Sequence, residues 1–147
     1  MRKPMPMSEL EPLIRATVEQ GGEFPLVTAG TSMLPMLRDR EDTVWLKKKP
    51  ERLKKYDLPL YKRADGTYVL HRVVAVGKDG YAMCGDNQYR REYPVNDGQI
   101  LAVVGRFEKK GKITSVTSWR YRLYCVRQCV LVQNFRRLKA AVRRVWK

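Results

Sequence analysis

Gly30-Thr31-Ser32-Met33-Leu34-Pro35 sets a serine in a short stretch flanked by glycine and proline, and His71 is the only histidine in 147 residues. A serine hydroxyl is a weak nucleophile near neutrality, so a base must take its proton. A neutral imidazole, with an ordinary pKa of about 6.5, can do this at pH 7. Gly30 permits a tight turn and close approach of a substrate backbone, and Pro35 stiffens the exit from that turn. Backbone N–H groups there, Ser32's own included, could hold the oxyanion of a tetrahedral intermediate. Each feature also has an ordinary reading. Gly, Thr, Ser and Pro are common in surface loops, and a lone strand histidine is more often a packed core or edge residue. Gly85-Asp86-Asn87 is a third motif, a turn whose Asp side chain can cap its own backbone.

Taken together and in order, the three stretches resemble a known family. Gly30-x-Ser32-Met33-x-Pro35, then Tyr68-Val69-Leu70-His71-Arg72-Val73-Val74, then Gly85-Asp86-Asn87 are similar to the three motif boxes of the type I signal peptidase superfamily. The wider group includes the self-cleaving SOS repressors. The likeness runs over roughly residues 24–107, and the G-x-S-M-x-P box is its most specific part. Most bacterial members use a lysine base, whereas the endoplasmic-reticulum and sporulation-type enzymes carry His before Arg, as here. The resemblance implies Ser32 as nucleophile, His71 as general base and a coiled all-β fold. It also implies Gly30, Thr31, Met33 and Pro35 at the substrate, whose strand would pair with the edge leading into Ser32. In the His-type enzymes an acid orients the imidazole from just beyond the third box. Glu92 matches that place, ahead of Asp86, which lies within the box. A carboxylate beside His71 would move its pKa above about 6.5. No metal or organic cofactor is implied.

Composition bounds the rest. The length suits one domain with a real core, and 44% hydrophobic with 31% charged residues describes a globular chain. Thirty Lys and Arg against 15 Asp and Glu give a net charge of +15, which favours an anionic partner. The first 20 residues carry prolines and glutamates in place of an apolar signal-peptide core, and no apolar run reaches the roughly 18 residues of a spanning helix. The N-terminal transmembrane anchor of the family is therefore absent from the sequence, which is closest to the short, anchorless members. Their best-motivated targets are leader peptides of small secreted or modified peptides. Three cysteines, with Cys125 and Cys129 four apart, form no zinc pattern and read as reduced thiols. The expected location is cytoplasmic, with peripheral attachment to the inner membrane surface.

Three segments follow. Residues 1–23 are an N-terminal helical lead: Ser8-Glu9-Leu10-Glu11 matches a capping box, and Leu10, Ile14 and Val18 recur at helical spacing. Residues 24–112 form the catalytic β domain, with short β-prone runs, an Asp65-Gly66 hairpin, a turn at Lys78-Asp79-Gly80 and a strand at Ile100–Phe107 buried on both faces. Residues 113–147 comprise a connector over Thr114–Ser118 and a basic amphipathic helix from Trp119. Tyr124, Leu131, Phe135, Leu138, Val142 and Val145 fall near one stripe of that helix, beside nine basic residues and no acid. It reads either as an interfacial helix for anionic lipid or as a helix packed on the β domain with a solvated basic face. No helix-turn-helix pattern or aromatic-rich RNA motif accompanies the charge, which argues against nucleic acid.

The fold class is thus mainly β, with a short N-terminal helix and a basic C-terminal one. The expected function is a serine endopeptidase of signal-peptidase type that cleaves leader or signal-like peptides. The alternative is a non-catalytic peptide-binding or membrane-surface module that keeps the fold. A self-cleaving repressor would need a DNA-reading domain, for which residues 1–23 are too short.

Overall fold

The computed structural model describes residues 5–146. Met1–Pro4, the start of the expected N-terminal lead, and Lys147 lie outside them. The fold is mainly β, with a helix at each end, as the sequence pattern predicts.

Helix α1 spans Met7–Glu19 and turns Ile14 and Val18 into the core. Burial of each contributes about 1.5–3 kcal/mol. The expected capping box does not form. Pro6 occupies the N-cap position and Ser8 lies inside the first turn, with no side-chain cap bond. Glu11 turns instead to the β domain, accepting from the Tyr68 hydroxyl and pairing with Arg15 and Lys62.

Nine strands follow: β1 (Phe24–Val27), β2 (Thr43–Lys47), β3 (Pro59–Lys62), β4 (Tyr68–Leu70), β5 (Arg72–Val76), β6 (Tyr81–Cys84), β7 (Glu92–Val95), β8 (Ile100–Lys109) and β9 (Lys112–Ser115). They make two antiparallel sheets. The larger has the order β1-β2-β8-β3-β4, with β9 also on β8; the smaller is β5-β6-β7. The β3–β4 hairpin turns at Asp65-Gly66, where Thr67 N–H donates to the Asp65 carboxylate at 2.9 Å. Strand β8 is buried on both faces from Ile100 to Val104, as its unbroken apolar run requires. Two strands were not legible: β7, short and interrupted by Pro94, and β9, which runs into the first two residues of the expected connector. Pairing with Arg106–Lys109 supplies what Lys112–Ser115 lacks in β pattern.

One apolar cluster lies between α1 and the larger sheet and includes Ile14, Leu46, Leu60 and Phe107. A second, with Tyr61, Val69, Val73 and Met83, fills the space between the sheets.

The C-terminal segment is helical but not one regular helix. Helix α2 (Trp119–Val126) begins at Ser118, whose hydroxyl accepts from Tyr121 N–H, and a π-helical turn over Arg127–Val132 leads into α3 (Gln133–Val145). The wider turn changes the helical phase. Tyr121, Cys125, Gln128, Cys129 and Gln133 consequently face the β domain, and Leu131, Phe135, Leu138, Val142 and Val145 face outward. The single stripe expected from regular spacing is split, with half-buried Tyr124 inside and the rest exposed.

Candidate active site

Ser32 sits in the long loop between β1 and β2, and this loop braces itself. The carbonyl of Thr28 accepts from Arg40 N–H at 2.7 Å, and Thr28 N–H donates to the Asp42 carbonyl at 3.0 Å. Asp39 accepts from Gly30 N–H at 2.7 Å. Fully buried Asp42 accepts from Arg38 through backbone and guanidinium, the closest pair at 2.7 Å. Gly30 has φ of +90°, a conformation that a side chain would strain, so a glycine is required there. Met33 and Leu37 drop into the core and leave Ser32 half-exposed above them.

His71 is the residue that passes between the sheets, following β4 and preceding β5. Alternation along this strand puts Val69 and His71 inward, and both are buried. The ring of Tyr61 meets the imidazole edge-on at 6.4 Å. Ser32 and His71 line one cavity of about 340 Å³. Strands β1 and β4, the two ends of the larger sheet's strand order, line it as well through Leu26, Val27, Val69 and Leu70. The larger sheet therefore curls so that its end strands β1 and β4 both reach the cavity that holds the serine and the histidine. No lysine lines this cavity among the described residues.

His71 also lines an adjoining cavity with Arg63 and Glu92. Glu92 is held from behind: the Tyr61 hydroxyl donates to it at 3.0 Å and Arg63 Nε at 2.7 Å. Glu92 thus shares a cavity with His71 without a direct hydrogen bond to it. Burial and the neighbouring Arg63 charge bring the His71 pKa down to about 4, against the pull of Glu92 and Asp86. The upward shift expected from a carboxylate is overturned, because burial disfavours the charged imidazolium and Arg63 offsets Glu92.

Asp86 is placed differently. It is fully buried, and its carboxylate takes two bonds from Arg72, at 2.8 and 2.9 Å, and one from the Tyr124 hydroxyl at 2.7 Å. Arg72 is equally buried, and its guanidinium also donates to the Tyr121 hydroxyl, Cys125 Sγ, Met36 Sδ and the Tyr56 carbonyl. The pair therefore ties the residue after His71 to the third motif box. That box in turn touches the serine loop. Asn87 N–H donates to the Ser32 carbonyl at 2.9 Å and its side chain to the Thr31 carbonyl at 3.2 Å. A Cβ on Gly85 would lie 2.5 Å from the Ser32 carbonyl oxygen, so only glycine permits this approach. The backbone N–H groups of Ser32 and Met33 make no hydrogen bond among the described residues. Thr31 and Pro35 are exposed on the same loop, while Met33 is buried beneath it.

Sequence reasoning gave no site role to Arg63, Tyr61, Tyr124, Gln128 and Gln133, and quoted Arg72 in the second box without its pairing to Asp86. Arg72 had a usable signal, a charge inside an otherwise apolar run. The others become neighbours only through the fold. Compared with protein-family models, with curated proteins and with solved structures, the chain matches none.

Proposed function

We propose that this chain is a serine endopeptidase of the signal-peptidase type, acting on leader or signal-like peptides. The observation that carries the reading is that Ser32 and the chain's one histidine line a single cavity that the end strands β1 and β4 both reach. An extended peptide entering there adds as a strand to β1 and presents a carbonyl to the serine. Ser32 Oγ attacks that carbon and its proton passes to His71. The tetrahedral oxyanion is held by free N–H groups of the loop. Collapse breaks the peptide bond, and the proton on His71 leaves with the amine. Water, giving its proton to His71, then hydrolyses the acyl ester and restores Ser32. At pH 7 a histidine with a pKa of about 4 is neutral and ready to accept. Glu92 opposes the penalty that burial and Arg63 place on the imidazolium more than Asp86 does, and it shares a cavity with His71, which supports it over Asp86 as the assisting acid. The buried ion pair of Asp86 with Arg72 supports a bracing role for Asp86.

No helix among the described residues is long and apolar enough to cross a membrane. The reading places the protein in the cytoplasm, peripheral on the inner membrane surface through residues 119–147. The deciding experiment treats purified protein with a fluorophosphonate probe and locates the adduct by mass spectrometry. Ser32 should be labelled, and Ser32→Ala should abolish both labelling and peptide cleavage. Cleavage by Ser32→Ala at the wild-type rate would sink the mechanism.

A further inference from the structure

The C-terminal helix has two faces that do different work. Its inner face packs Tyr121, Cys125 and Cys129 into the core and adds hydrogen bonds directed at the third motif box and Arg72. Gln133 Nε2 donates to the Gly85 carbonyl at 3.0 Å, Gln128 Nε2 to the Asp86 carbonyl at 2.5 Å, and Arg136 to the same carbonyl at 3.2 Å. Tyr124 and Tyr121 add the hydroxyl bonds to Asp86 and Arg72. Both glutamines are buried, where a donor aimed at a carbonyl fixes geometry strictly. The clamped turn is the one that contacts the Ser32 and Thr31 carbonyls.

The outer face has no counterpart. Leu131 at the end of the π-helical turn and Phe135 are each 65% exposed, and Leu138 is 63% and Val145 82% exposed on an α3 that meets the rest of the protein mainly through its first turn. Apolar patches of this kind mark binding surfaces. The occupant follows from charge. Residues 119–147 carry nine Lys and Arg and no acid. A second copy would bring like charges together, whereas an anionic bilayer accepts the apolar stripe and pairs with its flanking cations.

We propose that the outer face of α3 docks on an anionic bilayer and that docking fixes the α2–α3 clamp on the Gly85–Asn87 turn, accelerating chemistry at Ser32. The activity half rests on the peptidase reading above; the docking half deepens the peripheral attachment proposed with it and needs no peptidase activity. Gln128 and Gln133 are positioning residues, acting on Ser32 through the turn they hold.

The test uses full-length protein with phosphatidylglycerol or phosphatidylcholine vesicles, following co-sedimentation, fluorophosphonate labelling of Ser32 and amide exchange at residues 85–87. The expected result is salt-sensitive binding to phosphatidylglycerol only, labelling faster by on the order of fivefold on those vesicles, and slower exchange in the turn. Leu131→Glu with Leu138→Glu should leave the protein in the supernatant with no acceleration. Gln133→Glu, which cannot donate to Gly85, should still bind but lose the acceleration. Binding to both lipids alike, failure to bind, or a concentration-dependent dimer through this face would overturn the docking. Binding with no change in labelling or in exchange would overturn the coupling. If Ser32 is never labelled while phosphatidylglycerol still slows exchange in the turn, the clamp stands and the peptidase reading falls.

Discussion

His71 concentrates the conflict of forces at the site. Water is excluded from most of the imidazole and Arg63 adds a like charge, so the protonated form is disfavoured and its pKa lies at about 4. The pH dependence of kcat/KM in the free enzyme should therefore rise with a midpoint between about 4 and 5, well below the ordinary histidine value. Arg63→Gln removes the opposing charge and leaves Glu92 unpaired, so the acid limb should move upward by about a unit or more. A limb that stays in place would show that Arg63 does not act on His71. Glu92→Gln should lower turnover, roughly tenfold or more on the scale of general-base assistance, whereas Glu108→Gln on β8 should change nothing. The same low pKa has a stability consequence. The unfolded chain binds a proton at His71 below about 6.5 and the folded chain only near 4. Stability thus falls as pH drops through that window, by up to about 3 kcal/mol, and is unaffected above it. Acid denaturation of His71→Gln against wild type measures this term.

At the scale of elements, the serine loop, the histidine crossover and the third box are joined by one buried ion pair. Arg72 and Asp86 are both fully buried. Removing one partner strands a charge in a dry interior, and such losses cost about 3–5 kcal/mol. Asp86→Ala should therefore lower the urea midpoint strongly, while Glu92→Ala, half-buried near the surface, should not. Equal midpoints would mean that the pair is hydrated. The sequence revealed part of this arrangement and concealed the rest for a physical reason. Gly30, Ser32, Met33 and Pro35 are read from one another because their spacing is local, and Asp65-Gly66 announces its hairpin for the same reason. The partnership of Arg72 with Asp86 crosses between strands, and Gln128 and Gln133 reach the box from another element altogether. Two glutamines in a basic helix look like solvated surface until the π-helical turn rotates them inward. The same turn explains why a stripe drawn at regular spacing joined Tyr124, which binds Asp86, to Leu131, which faces solvent.

For the whole molecule, the question is whether the C-terminal segment is an appendage to the β domain or part of it. The net charge of +15 makes the compact chain self-repelling, so every buried contact near the basic segment opposes a standing cost. Tyr121 is buried against Phe107, with ring centres 5.6 Å apart, and Cys125 is fully buried in the main core. Removing an aromatic of this kind alone costs about 3–5 kcal/mol. Losing α2 also takes Tyr121, Cys125 and Tyr124 away from Arg72 and Asp86, leaving a buried pair half-satisfied. Against a total stability of about 5–15 kcal/mol, a chain ending at Ser118 should be largely unfolded at 25 °C. A chain ending at Arg137 is a different matter. Of the residues it lacks, those described are exposed except for half-buried Ala140. It should keep the wild-type Tm within the small change typical of surface alterations, about 0.5 kcal/mol, while losing much of the outward apolar stripe. Circular dichroism melts of the two truncated chains beside the full-length protein decide the matter. If the chain ending at Ser118 melts like wild type, α2 is an appendage and cannot position the site. If the chain ending at Arg137 unfolds as well, the outer half of α3 supports the fold in a way its exposure does not account for.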